Sequence, residues 1–192
     1  MSAGPPLRLD RDRSLLLVVD VQERLVPHVH EHENLVARVD ALLAAARRLG
    51  VPALATEHCA AQLGPTIPSL RPRFDAGAIY AKTQFGATGH AGFGALLRGH
   101  DRPQVVVAGM EAHVCVLQTV LGLVGEGCEV VVVGDAVGSR APRLADRRFA
   151  LERMARAGCT VAGTETVLFE WARAGDDPAF RDILALVRAL PA

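Results

Sequence analysis

Three side chains that can carry out covalent chemistry stand at or just after the ends of apolar runs in this sequence. Asp20 ends one run, Lys82 ends a second, and Cys115 follows a third. A carboxylate can take the proton of a thiol, a cation can stabilise the thiolate, and the sulfur can attack a carbonyl carbon. These residue types could together carry out nucleophilic chemistry at a carbonyl group if the fold brings them together.

The apolar runs have the character of strands buried on both faces. They are the segments 14–20, 78–82 and 105–108. The carboxyl ends of parallel strands share one edge of a sheet, and ligands bind beyond that edge. We therefore expect the three side chains to meet there, although each alone has a plainer interpretation: a turn cap for Asp20 and a solvated cation for Lys82.

Cys115 is predicted to lie in the first turn of a helix. The third run breaks at Gly109, and helical spacing then begins. No Ser, Thr, Asp or Asn between Gly109 and Cys115 can cap this helix, so its first amides are free to hold an anion. A helix start lowers a thiol pKa from about 8.5, which predicts a thiolate-rich Cys115. The alternative is that Cys115 is a small buried hydrophobe, and its position alone favours neither.

Strands alternate with helices along the rest of the chain. Strands are predicted at 14–20, 51–56, 78–82, from 105, at 128–133 and at 160–162. Helices are predicted at 33–49, 92–98, around Cys115 to Val124, and at 146–157, 165–173 and 178–190. This order predicts a three-layer α/β/α fold with a six-stranded, mostly parallel, Rossmann-like sheet. Residues 1–192 are expected to form a single domain, with 1–13 as a loose arm. Residues 57–78 are expected to be an irregular, functional loop.

Composition excludes several classes of function. The chain of 192 residues has 21 Lys and Arg against 21 Asp and Glu, so no basic excess points to nucleic acid. Its start has no apolar signal segment, and no run is long enough to cross a membrane. The 4 cysteines form no C-x-x-C pair and are expected to be reduced thiols in the cytoplasm. No G-x-G-x-x-G follows Asp20, which argues against a dinucleotide-binding module.

Several segments in this order resemble one family. They are LLLVVDVQ with Asp20 and Gln22, AKTQF with Lys82 and Phe85, GMEAHVCVLQT with Cys115 and Gln118, VVVGDAVGSR and TVLFEW. The chain resembles the isochorismatase-like cysteine hydrolases, which also include nicotinamidases and N-carbamoyl amidases, from about Ser14 to Ala189.

The resemblance implies an Asp–Lys–Cys triad. Asp20 would be the general base and later the acid, Lys82 the electrostatic partner and Cys115 the nucleophile. The backbone amides of Glu111 and Cys115 would form the oxyanion hole, and the peptide bond between Met110 and Glu111 would be cis. The family also implies a homo-oligomer.

Two further residues are candidates for substrate binding. Gln22 lies two residues past the proposed base and either orients substrate or bonds the backbone. Phe85 lies in the segment near the expected pocket.

His113 is either a partner of a neighbouring side chain or faces solvent. Cys128 and Cys159 each follow a glycine at the amino end of a strand and are expected in the core.

The sequence departs from nicotinamidases after the second strand. Those enzymes carry an Asp-x-His pair as metal ligands, whereas this chain has TEHCA from Thr56, with Glu57 and His58 at other spacings. We therefore expect no metal and no cofactor. The leading hypothesis is hydrolysis of a small amide or related carbonyl C–N bond through a thioester. An isochorismate-type vinyl ether hydrolase and a non-catalytic scaffold with the same fold are the alternatives.

Overall fold

A computed structural model describes residues 7–191, which form a six-stranded parallel sheet in the order β3-β2-β1-β4-β5-β6. The strands are β1 (Ser14–Val19), β2 (Ala53–His58), β3 (Ile79–Lys82), β4 (Gln104–Met110), β5 (Glu129–Gly138) and β6 (Thr160–Ala162). Each strand pairs with its neighbours in parallel, which confirms the predicted α/β sheet.

Within the described residues there are seven α-helices, and most of them cover the two faces of the sheet. They are α1 (His32–Leu49), α2 (Ala60–Leu63), α3 (Ala91–Arg98), α4 (Leu117–Gly125), α5 (Leu144–Arg156), α6 (Thr164–Ala172) and α7 (Phe180–Arg188). Side chains of β1 alternate between the two sides: Leu16 and Val18 pack with α1, α6 and α7, whereas Leu15 and Leu17 pack with α3, α4 and α5. The result is the expected three-layer arrangement.

The register of the central strands sets the position of the candidate site. Val19, the last residue of β1, lies opposite Thr56 on one side and Gly109 on the other. The next residue, Asp20, therefore leaves the sheet between the ends of β2 and β4. Lys82 pairs with His58 at the end of β3, one strand further out.

The prediction of a loose arm is wrong for residues 7–13, while residues 1–6 lie outside the described part of the chain. Leu9 is only 3% exposed and belongs to the core. Its amide donates to Glu170 at 2.9 Å, and the Asp10 amide donates to Gln104 at 2.8 Å. Arg11 adds an ion pair with Asp177 at 2.7 Å. These partners are distant in sequence, so the local Pro, Arg and Asp content gave no sign of them.

The excursion 57–78 is also more ordered than predicted. It contains α2 and a 3₁₀ turn at Arg71–Arg73. The buried Glu57 holds it in place, because its Oε1 accepts hydrogen bonds from the Thr66 amide at 2.7 Å and from Arg71 at 2.6 Å. No helix in residues 7–191 is long and apolar enough to span a bilayer.

Candidate active site

Asp20 is held by the neighbouring strand at both its backbone and its carboxylate. Its φ of 52° is left-handed, so the chain turns sharply off β1 at this residue. The Asp20 amide donates to the Thr56 carbonyl at 3.1 Å, and the Thr56 hydroxyl donates to Asp20 Oδ1 at 2.6 Å. Both residues are fully buried. Sequence reasoning missed Thr56, because a threonine in a strand is otherwise only a good strand former.

Lys82 reaches across from β3 to the other carboxylate oxygen. Its Nζ lies 2.6 Å from Asp20 Oδ2, and both side chains are 0% exposed. The same ammonium group donates to the carbonyls of Phe85 at 3.0 Å and Gln84 at 3.3 Å. All three donors of the ammonium group therefore have partners, which a buried charge requires.

Cys115 lies in a π-helical turn, Ala112–Val116, between β4 and α4, and is 6% exposed. The first turn of the predicted helix is thus wider than an α-helix, a form found frequently at functional sites. The amides of Val114 and Val116 both donate to the Glu111 carbonyl at 3.1 Å. The peptide bond between Met110 and Glu111 is cis, as the family resemblance implied.

The thiolate-rich state expected for Cys115 is contradicted. Burial raises the pKa of the Cys115 thiol well above its usual value, and the nearby negative charge of Asp20 raises it further. Lys82 opposes both effects but does not overcome them. Because desolvation by burial is the largest of these effects, the protonated thiol is favoured, beside a carboxylate that can accept its proton.

Gly109 allows β1 and β4 to approach each other at the site. Its φ is 117°, a conformation that favours glycine. A Cβ at this position would lie 2.1 Å from the Val19 carbonyl oxygen. A side chain here would push the Cys115 turn away from Asp20.

The segment after β5 contacts the turn that carries the thiol. The Arg140 backbone amide and Nε both donate to Glu111 Oε1, at 3.1 Å and 2.9 Å. Ser139 Oγ lies 2.9 Å from His113 Nδ1, so His113 has a side-chain partner. Sequence reasoning missed both contacts, because nothing local to Ser139 or Arg140 indicates which turn they meet.

The two candidate substrate-binding residues differ in their surroundings. Gln22 is fully buried, and its Nε2 donates to the carbonyls of His58 at 3.0 Å and Gly64 at 2.6 Å. Its Oε1 accepts from the His58 amide at 2.8 Å. These contacts favour the backbone-bonding interpretation. Phe85, by contrast, is 50% exposed, with its ring centroid 5.2 Å from that of His58.

Comparison with known proteins shows the family of this chain. A family model described as isochorismatase domain matches residues 14–166. The chain belongs to the isochorismatase family. Among its relatives, isochorismatase domain-containing protein 2 of Danio rerio is 34% identical over 94% of this chain and 89% of its own length.

Solved structures of the family superpose closely. MAR1 ribonuclease from Caenorhabditis elegans gives a TM-score of 0.89 at 31% identity, covering 97% of this chain and 95% of that one. YcaC from Pseudomonas aeruginosa, with hexane-2,5-diol and covalent acrylamide, gives a TM-score of 0.88 at 28% identity, covering 96% of this chain and 93% of that one. YcaC from Escherichia coli, named an octameric hydrolase of unknown specificity, gives a TM-score of 0.85 at 25% identity, covering 98% of this chain and 100% of that one.

The residues that follow Thr56, in the segment compared with the nicotinamidase motif, have contacts of their own. Within residues 7–191, no group of three or more His, Cys, Asp or Glu side chains is placed to hold a metal ion. Glu57 is committed to Arg71 and the Thr66 amide. His58 stacks near Phe85 instead of meeting a second ligand.

Proposed function

We propose that this isochorismatase-family hydrolase cleaves a small amide or related carbonyl C–N bond, with Cys115 as nucleophile and Asp20 and Lys82 completing a triad. The observation that supports the proposal is the buried Asp20–Lys82 pair beside the buried Cys115 thiol, whose pKa is raised by that burial. A buried charge pair is costly to maintain in a fold, and one that faces a nucleophile is typical of a functional site.

In the first half of the reaction, Asp20 accepts the thiol proton as the sulfur attacks the carbonyl carbon. The C–S bond forms, and the carbonyl π electrons move to oxygen. The amides of Glu111 and Cys115 donate to this oxyanion, an effect that typically accounts for a large part of catalysis. The Lys82 ammonium group keeps the Asp20 carboxylate in place. It also balances the negative charge as that charge moves from Asp20 to the substrate oxygen.

In the second half, the tetrahedral intermediate collapses and the C–N bond breaks. Asp20 returns its proton to the leaving amine, which leaves a thioester on Cys115. Water then attacks the thioester while Asp20 takes a proton from it. The carboxylic acid leaves, and the proton returns to the sulfur.

Similar proteins support a reactive nucleophile without fixing the substrate. The P. aeruginosa relative carries covalent acrylamide, an electrophile that adds to nucleophiles through its alkene carbon and keeps its amide. The C. elegans relative is named a ribonuclease, but the balanced 21 and 21 charges of this chain do not favour RNA. An isochorismate-type substrate ranks lower: its two carboxylates call for free cations, whereas Lys82 and Arg140 are both paired with carboxylates.

We also propose that the protein works as a homo-oligomer in the cytoplasm, without a metal or cofactor. The octameric E. coli relative supports the assembly. The four cysteines are free thiols, which fits a reducing compartment. Glu57 and His58, the residues nearest to the nicotinamidase ligand positions, have other contacts.

The test is turnover of a panel of small amides, carbamoyl compounds and isochorismate by the wild type and Cys115→Ala. We expect an amide to be hydrolysed by the wild type alone, with a thioester-linked acyl group trapped on Cys115 by rapid acid quenching and mass spectrometry. Cys159→Ala, which removes another buried thiol, is the matched control and should retain turnover. Near-normal activity of Cys115→Ala would contradict the nucleophile assignment, and turnover of isochorismate alone would favour the ether hydrolase.

A further inference from the structure

The turn that carries the thiol is held from the side by the two residues that follow β5. Arg140 binds the Glu111 carboxylate through its backbone amide and its Nε, and Ser139 meets His113. Glu111 is 8% exposed and Ser139 1% exposed, so one partner in each of these contacts is buried. The Arg140 side chain remains 47% exposed.

The turn needs an anchor of this kind because it has no side-chain cap. Glu111 occupies the N-cap position, and no side-chain hydrogen bond caps the turn there. Its carbonyl instead accepts the amides of Val114 and Val116, which leaves the carboxylate to fix the orientation of the residue. A charge-assisted bond is roughly twice as strong as a neutral one, so Arg140 Nε is a strong constraint.

The Ser139–Arg140 segment is itself fixed against the start of α1. A Cβ at Gly138 would lie 2.5 Å from Leu35 Cδ1 and 2.6 Å from Val29 Cγ1, so the backbone packs closely there. The His30 amide donates to the Ser139 carbonyl at 3.0 Å, and Arg140 forms a β-bridge with Val29. The anchor therefore belongs to the rigid body of the fold.

We propose that Arg140 is a positioning residue that holds the Glu111 backbone amide where it binds the substrate oxyanion. The inference rests on the proposed function, because it assumes that the Glu111 amide faces this oxygen. Arg140 acts through the Glu111 side chain and does not touch the reacting atoms. Its loss leaves the thiol in place and weakens binding of the oxygen.

A small aldehyde is a direct probe of this oxygen site. The Cys115 sulfur adds to the aldehyde carbon, so a C–S bond forms while the C=O π bond breaks. The thiol proton passes through Asp20 to the new oxygen, and the product is a thiohemiacetal. No leaving group or co-reactant is involved, so the dissociation constant reports how well the site holds the oxygen.

The experiment measures how far each aldehyde of a short aliphatic and aromatic series protects Cys115 from iodoacetamide, with peptide mapping of the alkylated thiol. Fractional protection within one variant gives the dissociation constant independently of that variant's absolute alkylation rate. For the best aldehyde, we expect Arg140→Ala to weaken binding about tenfold, a fraction of the loss caused by deleting an oxyanion donor. Arg140→Lys, which keeps the charge but not the Nε geometry, should fall between Arg140→Ala and wild type.

Three further variants make the result specific. Glu111→Ala removes the acceptor of both the Arg140 Nε and the Arg140 backbone amide, so it should weaken binding at least as much as Arg140→Ala. The double variant should be no weaker than Glu111→Ala, because without the Glu111 carboxylate the Arg140 side chain has nothing left to hold. Arg143→Ala is the matched control: Arg143 lies 3.8 Å from Asp146 on the surface, and its removal should leave the constant unchanged.

The outcomes separate this inference from the proposed function. If the wild type binds an aldehyde and Arg140→Ala binds it equally well, Arg140 has no positioning role. Additive losses in Arg140→Ala and Glu111→Ala would also overturn the inference. If Cys115 of the wild type is alkylated but protected by no aldehyde, the oxyanion site itself is wrong, and the proposed function fails with it. If Arg140→Ala does not fold, Arg140→Lys takes its place. An aldehyde dissociation constant in folded Arg140→Lys equal to that of the wild type would then overturn the proposal.

Discussion

The Cys115 sulfur is buried beside a carboxylate, and both facts favour the protonated thiol. Alkylation of Cys115 should therefore be slow at neutral pH and should rise at a pH above the ~8.5 of a free thiol. Asp20→Asn removes an anion that raises the Cys115 pKa and should speed alkylation, whereas Lys82→Met removes the cation that lowers it and should slow alkylation. The measurement is the alkylation rate of Cys115 against pH in the three proteins, each checked for folding by circular dichroism. Coincident profiles would mean that the three side chains do not share a site.

The Asp20–Lys82 pair should also determine stability. Either Asp20→Asn or Lys82→Met leaves one charge buried without its partner, which typically costs about 3–5 kcal/mol of unfolding free energy. The double variant should lose much less than the sum of the two, because it leaves no unpaired charge. Urea unfolding of the wild type, the two single variants and the double variant measures the four free energies of this double-mutant cycle. Additive losses would show that the two side chains do not interact in solution.

The residues at the site differ in how readily the sequence reveals them. Asp20, Lys82 and Cys115 can be found because each follows a recognisable apolar run. Thr56 and Arg140 cannot, since their roles depend on which strand lies next to which, and strand order is a long-range property. The thiol pKa was predicted in the wrong direction because the helix-start argument is local, whereas burial depends on the whole fold.

The β4–α4 unit depends on the close contact at Gly109. Gly109→Ala places a methyl group 2.1 Å from the Val19 carbonyl oxygen, at a φ that alanine rarely adopts. We expect a loss of about 3 kcal/mol or more in unfolding free energy. Gly125→Ala, at the end of α4, is the matched control: a Cβ there meets nothing within 4 Å, and stability should be unchanged or improved by up to ~1 kcal/mol. Equal stability of the two variants in urea would contradict this account.

Elements with strong local periodicity were predicted closely, and those shaped by neighbours were not. The predicted helix 33–49 is observed at His32–Leu49, and the strand at 160–162 is observed at Thr160–Ala162. β5, predicted to end at residue 133, continues to Gly138, with a register shift opposite Val107 and Gly109. An irregularity of this kind is set by pairing with β4, so the β5 sequence alone does not show it.

At the scale of the whole molecule, we expect several copies of the 20.4 kDa chain to associate. An octameric relative at 25% identity motivates this prediction. Light scattering coupled to size-exclusion chromatography should give a mass that is a multiple of the chain mass and is stable on dilution. A monomer at micromolar concentration would contradict it.

The order of strands in the sheet has a consequence for synthesis of the chain. β1 lies between β2 and β4, and Ser14 meets Gln104, 90 residues later. At ~5–20 residues per second, translation leaves one apolar edge of β1 without its partner for roughly 5–20 s. During that interval the nascent chain is a substrate for chaperones or for aggregation. Asp20 and Lys82 are synthesised before Cys115, so the charge pair is available to assemble before the thiol leaves the ribosome.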